Sequence, residues 1–396
     1  MEISKRAQGI APSLTLEITA KAKAMKAAGK DVVSFGAGEP DFNTPDYIVE
    51  AAKEALAKGV TRYTAASGTP EVKKAVCEAL KEDGMSYEPN QIVVSNGAKH
   101  CLTNAFLCTV NEGDEVIIPA PFWLTYPELV KLAGGIPVIL KAKKENGYKI
   151  TVEDLKNTIT PKTKAILLCN PCNPSGIVYS KEEIFEFAAF LEDKDIYIIS
   201  DEIYNKLSYD TEVVSISTYS EKIKEKTIVI NGVSKSYAMT GWRIGWSASN
   251  PKLAKAMGSL QSHCTSNPNS IAQYATVAAY TKPEGKEFIN SLYGVFKERR
   301  DLMVDVLGKM GAEIIKPQGA FYVMVDVSRY FGKKFNGEVI DSAHKIAMLL
   351  IDNYDMAVIP CESFGADNFI RLSYAISKED IVKGLDRLND FFNKIA

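Results

Sequence analysis

The 396-residue sequence lacks the features that would assign it to several large classes of protein. It has no excess charge, since 47 lysines and arginines face 49 aspartates and glutamates and leave a net charge of -2. Without a basic surplus, we expect neither nucleic acid nor an anionic membrane as a partner. Cysteine is also sparse. Seven irregularly spaced cysteines do not form a disulfide framework, and their odd number fits a reducing compartment.

Long apolar runs and a secretory leader are missing as well. The N-terminal residues Met1–Arg6 lack the apolar centre of a signal peptide. The longest stretch without a charged side chain, residues 256–281, is interrupted throughout by Ser, Asn, Gln and Thr. A membrane span needs about 20 predominantly apolar residues. We therefore expect a cytoplasmic protein with no membrane partner.

What the sequence does contain is a regular alternation of short apolar runs and helical patterns. A chain that is 46% hydrophobic can build a core, and its length predicts two domains, or three, at about 150 residues per domain. The continuous apolar runs predict a parallel sheet covered by helices on both faces, hence an α/β fold. The predicted strands are Gln91–Ser95, Glu115–Ile118, Lys164–Cys169, Ile196–Ser200 and Thr227–Val233.

The two ends of the chain have a different pattern. Residues 13–29 form an amphipathic helical pattern, and a long charged helix is predicted over Glu284–Gly311. Two further strands, Ala320–Val327 and Phe369–Tyr374, precede a last helix that begins at Ser377. We predict a large α/β domain over residues 46–280. A smaller α+β domain would combine residues 1–45 with residues 281–396.

Polar residues follow several of the predicted strands, at the edge where parallel sheets bind ligands. Asn96–Lys99 form a small-residue turn into a helix, which suits a phosphate but also fits a simple strand–helix connection. The loop Asn170–Gly176 has two Asn-Pro steps and either aims Asn173 into the crevice or is a rigid structural turn. Cys169 and Cys172 form a single C-x-x-C without a second pair, so no metal site is predicted.

The next two strands end in charged residues. Asp201 follows a buried strand, where a carboxylate is costly unless it meets a cation or caps a helix, and Tyr204 lies just beyond. Lys235 follows Ser234 after the last strand, with Arg243 close behind. Lys235 is either an exposed loop residue or a partly buried amine whose pKa is lowered by the nearby cation, which would leave it nucleophilic.

One cofactor uses all of these groups together. Pyridoxal 5′-phosphate has an aldehyde that reacts with a lysine, a ring nitrogen that needs a carboxylate and a phosphate that needs amides and arginine. Its phenolic oxygen needs neutral donors, for which Tyr204 and Asn173 are available. The joint presence of these residue types at successive strand ends predicts a pyridoxal-phosphate enzyme.

Over essentially its whole length, the sequence resembles the class I aminotransferases of the fold-type I pyridoxal-phosphate enzymes, and is closest to their bacterial aspartate aminotransferase branch. The matching motifs are Gly36–Phe42, Tyr63–Gly68, Asn170–Gly176, Ser200–Tyr204, Ser234–Gly245 and Arg371–Ala375. The resemblance implies a large domain with a mostly parallel, seven-stranded sheet and a smaller α+β domain.

The resemblance also implies a role for each matching residue. Lys235 would form the Schiff base with the cofactor, and Asp201 would hold the ring nitrogen protonated. The other implied cofactor contacts are Tyr204 and Asn173 at the ring oxygen, Trp123 on the ring face, and Ser234, Arg243 and the amides of Ala98 and Lys99 at the phosphate. Tyr63 would reach the phosphate of a neighbouring subunit, which implies a homodimer with shared active sites. Arg371 would clamp the substrate α-carboxylate, aided by Asn173 and Trp123, and the backbone of Gly38 would approach the substrate.

The implied reaction is a ping-pong transfer of the amino group of an L-amino acid, foremost L-aspartate, to 2-oxoglutarate. Residues that could recognise a distal carboxylate are uncertain, because Ser13 and Thr15 could be hydroxyl donors or could simply begin a helix. The related branch that also accepts prephenate has a lysine just before its Pro-Ser step, whereas this chain has Ala11. Alanine, an aromatic amino acid or another dicarboxylate therefore stays open as the donor.

Two other functions are compatible with part of the pattern. A C–S lyase would use the same lysine chemistry on a substrate with a leaving group. A transcription regulator with an aminotransferase-like sensor would need an N-terminal winged helix of about 70 residues and a basic DNA-binding surface. Since the enzyme pattern begins close to residue 1 and the net charge is -2, we do not expect this function.

Overall fold

The computed structural model describes residues 2–10 and 14–396. The helices in this part of the chain are α1 (Lys5–Gln8), α2 (Leu14–Ala27), α3 (Asp46–Ala57), α4 (Pro70–Glu82), α5 (Ala98–Thr109), α6 (Thr125–Leu132), α7 (Val152–Thr158), α8 (Lys181–Leu191), α9 (Glu221–Lys226), α10 (Pro251–Cys264), α11 (Ser270–Thr281), α12 (Glu284–Lys309), α13 (Ala343–Tyr354) and α14 (Lys378–Asn393). The strands are β1 (Val33–Ser34), β2 (Ile92–Ser95), β3 (Glu115–Ala120), β4 (Ile136–Lys141), β5 (Thr163–Cys169), β6 (Tyr197–Asp201), β7 (Thr227–Gly232), β8 (Gly245–Ala248), β9 (Glu313–Ile315), β10 (Tyr322–Asp326), β11 (Lys334–Phe335), β12 (Glu338–Val339), β13 (Met356–Ala357), β14 (Ile359–Pro360) and β15 (Phe369–Ser373).

Seven strands form one large sheet in the order β2-β8-β7-β6-β5-β3-β4. Its neighbours are parallel except at β8, which runs antiparallel to both β2 and β7. The predicted α/β fold with a mostly parallel seven-stranded sheet is therefore confirmed. All five strands predicted in this sheet are present, each shifted by at most two residues at either end.

The apolar strands are continuous because both faces of the sheet are covered. On β5, Ile166 and Leu168 pack in the same core cluster as Phe187 and Leu191 of α8. The alternate residues of β5, Ala165 and Leu167, pack in a second cluster with side chains of α5 and α10 such as Phe106 and Met257. Successive side chains of a strand point to opposite faces, so a strand between two helical layers is apolar throughout.

Strands β4 and β8 belong to this sheet but carry a weaker sequence signal. β4 is an edge strand that includes Pro137 and exposes Ile136 and Ile139. Edge strands tolerate proline because one side of their backbone makes no ladder hydrogen bonds. β8 is only four residues long and contains Gly, Ser and Ala, which are poor indicators of a strand.

A second, antiparallel sheet has the order β14-β15-β10-β9 and lies in the C-terminal part of the chain. The N-terminal segment joins this part, because β1 pairs in parallel with β13. A Cβ on Gly384 of α14 would lie only 2.2 Å from the Phe35 ring, so this junction is closely packed. These contacts place β1 against the C-terminal part of the chain. The domain limits at residues 46 and 280 stay a prediction.

Within the described ranges, none of the helices combines the length and the apolar character needed to cross a bilayer.

Candidate active site

A cavity of about 700 Å³ lies at the carboxyl ends of β5, β6 and β7. The sequence-predicted residues that line it are Gly38, Ala98, Lys99, Trp123, Asn173, Asp201, Tyr204, Ser234, Lys235, Arg243 and Arg371. Tyr63 is the predicted residue that does not line it, since its side chain is 89% exposed elsewhere on the surface. Ala11, Ser13 and the side chain of Thr15 lie outside the described residues.

Lys235 lies in the turn after β7 and is only partly exposed, toward the cavity. Its Nζ donates a hydrogen bond of 2.5 Å to the carbonyl oxygen of Gly38. Burial lowers the pKa of Lys235 to about 8, and the cations of Arg243 and Arg371 act in the same direction while Glu39 opposes them. A substantial part of this amine is therefore neutral near pH 8 and can act as a nucleophile or a base.

Asp201 is the last residue of β6 and is 3% exposed. Its carboxylate accepts a hydrogen bond of 2.8 Å from the Tyr126 hydroxyl and one of 3.2 Å from the backbone N–H of Ile203. Within the described residues, no lysine or arginine forms an ion pair with it. Burial raises the pKa of Asp201 to about 6, against the effect of these hydrogen bonds and of Lys235. The site thus holds a carboxylate that would be stabilised by a cationic ligand.

The raised pKa of Asp201 predicts how replacing it by asparagine changes the stability of the ligand-free protein. The folded-state pKa of about 6 exceeds the ordinary aspartate value of 3.8, so folding favours the protonated form of Asp201. The stability that this protonated group contributes is lost as the pH rises through 6. We expect Asp201→Asn to be more stable than the wild type, by little at pH 4 and by about 3 kcal/mol above pH 7. Urea unfolding across this pH range measures the difference. Asp193→Asn is the control, because the Asp193 side chain is 86% exposed. A difference in unfolding free energy between Asp201→Asn and the wild type that does not change with pH would contradict the expectation.

A corner of the cavity is suited to an anion. The helix α5 begins here after Gly97, and no side chain of the described residues caps its first turn. The guanidinium group of Arg243 closes the corner and is fixed by a hydrogen bond of 2.8 Å from Nη1 to the carbonyl of Thr240. A Cβ on Gly97 would lie 2.4 Å from Arg243 Nη2, so only glycine leaves room for this group. The helix N-terminus and the guanidinium group together form a site for a phosphate-like ligand.

Strand β8 supports the same corner from the other side. A Cβ on Gly245 would lie 2.3 Å from the backbone nitrogen of Ala98, so the strand and the start of α5 touch through their backbones. The corner therefore depends on two glycines that allow close approach of neighbouring segments.

Arg371 lies on β15 and is 3% exposed. Its guanidinium carbon is 4.3 Å from the centroid of the Tyr322 ring and 5.2 Å from that of Phe364, and Nη1 donates a hydrogen bond of 3.0 Å to Asn173 Oδ1. The Nε atom is buried and makes no hydrogen bond with the described residues. A planar, fixed arginine with free donor capacity is suited to a carboxylate of a ligand. Asn173 accepts this hydrogen bond through its side-chain oxygen, so its amide nitrogen can donate a hydrogen bond to a ligand in the cavity.

Aromatic side chains form the other walls. The Trp123 ring packs edge-on against Tyr126, with centroids 5.5 Å apart, and lies 4.8 Å from Lys99 Nζ. The hydroxyl groups of Tyr204 and Tyr322 are 3.0 Å apart. These contacts fix the rings that surround the space between Lys235 and Arg371.

Sequence reasoning missed Tyr126 and Tyr322, although both line the cavity. Tyr126 could have been suspected because it is an aromatic residue only three positions after Trp123, in the first turn of α6. Tyr322 gives no such signal. It belongs to β10 in the second sheet, and only the packing of that sheet brings it to Tyr204 and Arg371.

Known proteins with similar sequences and structures point to one family. The family described as aminotransferase class I and II matches residues 30–388. The aspartate aminotransferase of Bacillus sp. strain YM-2 is 47% identical over 98% of each chain, and a probable aspartate/prephenate aminotransferase of Aquifex aeolicus is 44% identical over 99% of each. The structure of the Thermus thermophilus aspartate aminotransferase with maleate superposes with a TM-score of 0.93, at 38% identity, covering 99% of this chain and 100% of that one.

Proposed function

The chain belongs to the class I and II aminotransferases, and we propose from this that it transfers the amino group of L-aspartate to 2-oxoglutarate with pyridoxal 5′-phosphate as its cofactor. The observation that supports the proposal most directly is the position of Lys235. Its amine, with a pKa of about 8, lies in one cavity with the buried carboxylate of Asp201 and the fixed guanidinium group of Arg371.

The cavity fits each part of the proposed cofactor. Its phosphate matches the corner formed by Arg243, Ser234 and the amides of Ala98 and Lys99 at the start of α5. Asp201 would hold its protonated ring nitrogen, because this buried carboxylate has no ion-pair partner among the described residues. Tyr204 and Asn173 offer donors to the ring oxygen, and Trp123 offers an aromatic face.

Pyridoxal phosphate, when bound, supplies an aldehyde that joins the substrate amine and a ring that takes up the electrons released at the substrate Cα. Arg371 binds the α-carboxylate, with its two parallel N–H groups fixing the orientation of the substrate. Lys235 Nζ accepts the proton from Cα as general base and, as general acid, would deliver it to the carbon of the cofactor's aldehyde group. Because burial and two neighbouring arginines lower the pKa of this amine, it can do so near neutral pH.

Two observations support L-aspartate as the donor. The similar proteins named above include enzymes described as acting on aspartate, and one of their structures contains maleate, a dicarboxylate. The cavity also carries cations beyond those assigned to the phosphate and the α-carboxylate, because Lys23 and Lys26 of α2 line it together with the side chain of Lys99. Additional positive charge favours a substrate with a second carboxylate.

We also propose that the protein is a homodimer with shared active sites. The exposed position of Tyr63 supports this, since an 89% exposed aromatic ring outside its own cavity is free to reach a second subunit. The oligomeric state in solution decides this part of the proposal. The cytoplasmic location and the division into residues 46–280 and residues 1–45 with 281–396 stay predictions.

A half-reaction tests the proposed activity. When cofactor-loaded protein is mixed with L-aspartate and no keto acid, we expect the long-wavelength absorbance band of the cofactor to disappear and oxaloacetate to form. Addition of 2-oxoglutarate should restore the band, because the two half-reactions alternate.

Other outcomes of this experiment are equally informative. An unchanged band with L-aspartate would reject this donor, and L-alanine and L-phenylalanine would then be tried in its place. Release of pyruvate and ammonia from cystathionine would identify a C–S lyase instead. If the cofactor-loaded protein shows no such band, the proposal that pyridoxal phosphate is the cofactor would be contradicted.

A further inference from the structure

The residue next to Asp201 is a second buried carboxylic acid. Glu202 is 3% exposed, and its contacts lie apart from those of Asp201 because successive side chains at the end of a strand point to opposite faces. Nothing in the proposed chemistry uses it. We propose that Glu202 is a positioning residue of the active site, whose buried carboxyl group fixes the segment that carries Asp201 and Tyr204. This role depends on the function proposed above.

The Glu202 side chain joins two segments that are distant in sequence. Its Oε1 atom accepts a hydrogen bond of 2.8 Å from Ser200 Oγ on β6 and one of 2.6 Å from Ser215 Oγ. Ser215 Oγ is in turn 2.9 Å from Ser217 Oγ. The segment between Glu202 and Ser215 contains Tyr204, so these hydrogen bonds close a loop around that residue.

The backbone of Glu202 is itself fixed by hydrogen bonds, and the N–H of the next residue binds the Asp201 carboxylate. Its N–H donates a hydrogen bond of 2.8 Å to the carbonyl of Ile230 on β7, and its carbonyl accepts one of 2.9 Å from the N–H of Asn205. The next N–H, that of Ile203, donates to Asp201 Oδ1. A shift of the Glu202 side chain would therefore move the peptide that orients the Asp201 carboxylate.

Within the described part of the chain, Glu202 has no cationic partner that would account for its burial. The titratable groups that face it are Asp83, Tyr87 and Asp201, all of which are neutral or acidic, and Lys206 pairs with Asp83 instead. Burial raises the pKa of Glu202 to about 7, against the hydrogen bonds of Ser215 and Ser200. Below this pH the carboxyl group is an uncharged anchor, and above it a second negative charge lies beside Asp201. That charge stabilises protonated, cationic groups in the cavity.

Three variants separate the anchor from the charge. Glu202→Gln keeps an acceptor for both serines but never ionises. Ser215→Ala keeps the charge but removes one of the two hydrogen bonds, and Glu202→Ala removes both anchor and charge. Glu115→Gln is the matched control, because Glu115 accepts a hydroxyl hydrogen bond of 2.5 Å from Thr160 at the opposite end of the sheet.

We expect Glu202→Ala and Ser215→Ala to slow the half-reaction with L-aspartate by about tenfold at nearly unchanged aspartate affinity, because a displaced Asp201 misaligns the cofactor. Visible circular dichroism of the bound cofactor should change in the same two variants, which is a readout independent of turnover. Glu202→Gln should react within about threefold of the wild-type rate. It should also lower, by about half a unit, the pKa at which the cofactor band titrates, since it lacks the negative charge.

Two outcomes would overturn the role of Glu202. One is a wild-type rate and dichroism in Glu202→Ala. The other is a Glu202→Gln variant as slow as Glu202→Ala, which would show that the charge and not the anchor matters. Failure of the proposed function is distinguishable, since the wild type itself would then lack the cofactor band or leave it unchanged with aspartate.

Discussion

Lys235→Ala is expected to retain the fold and bind pyridoxal phosphate but to lose turnover by about 10⁴-fold or more, the upper end of what acid–base catalysis contributes. We propose the Lys235 amine as the group that exchanges the Cα proton, and its pKa of about 8 would make it an effective base near neutral pH. Steady-state turnover with L-aspartate and 2-oxoglutarate measures the loss. Borohydride reduction followed by peptide mapping should place a covalent adduct at Lys235 in the wild type only.

Two further lysine variants sharpen this prediction. Lys235→Arg keeps a positive charge but cannot deprotonate, so it should be nearly as slow as Lys235→Ala. Lys226 is the control, because it comes directly before β7 whereas Lys235 follows that strand. Burial lowers the pKa of Lys226 too, but its ammonium group donates hydrogen bonds to the carbonyls of Leu191, Glu192 and Lys194. Lys226→Ala should leave turnover per folded protein within about threefold. Transamination by Lys235→Ala near the wild-type rate would refute the role of Lys235.

Arg371→Lys should be the second most damaging substitution, with kcat/KM for L-aspartate about 10²–10³ lower. The guanidinium group is buried between the rings of Tyr322 and Phe364 and shares one donor with Asn173, so its geometry is fixed before the substrate arrives. A lysine has one ammonium group in place of two parallel N–H donors and would not fill the stack between the rings. The space between the Tyr322 and Phe364 rings would then hold a lysine ammonium group, which is a strongly hydrated point charge.

The diagnostic measurement for Arg371 compares amines with and without an α-carboxylate. The wild type should prefer L-alanine over ethylamine by a large factor, and Arg371→Lys should lose most of that preference while its rate with ethylamine is unchanged. Arg299→Lys is the control, because Arg299 is buried and forms a bidentate pair with Asp41 at 2.7 and 2.9 Å outside the cavity. A preference for L-alanine that survives in Arg371→Lys would move carboxylate recognition to another residue.

The part of the site that could be predicted from sequence is the part that strand order brings together. Asp201 and Lys235 each follow a recognisable buried strand, and parallel strands deliver their carboxyl ends to one edge. A residue that is costly to bury and that follows such a strand is therefore a good indicator of the ligand site. Arg371 was identified through the resemblance to a family, not from the pattern around its own strand.

The rest depended on packing that no local pattern encodes. Tyr126 reaches Asp201 only because α6 lies against the sheet at one particular position, and Tyr322 comes from a separate sheet. Glu202 had the strongest physical signal of the residues that were passed over. It is a second acid at a buried strand end, but the sequence alone does not show that its hydrogen-bond partner is Ser215, 13 residues away.

The position of β8 has a consequence for how the active site is assembled during synthesis. Ile92 of β2 pairs with Ala248 of β8, so about 150 residues separate two strands that are neighbours in the sheet. Closing so large a loop carries an entropic cost that must be met before the contacts can form, which slows folding. A nascent chain that has not yet reached Ala248 already contains Asp201 and Lys235, but β2 is still separated from β7. We therefore expect Arg243 and Gly245 to reach the amino end of α5 only when β8 inserts between β2 and β7, so that the corner suited to an anion forms in one step.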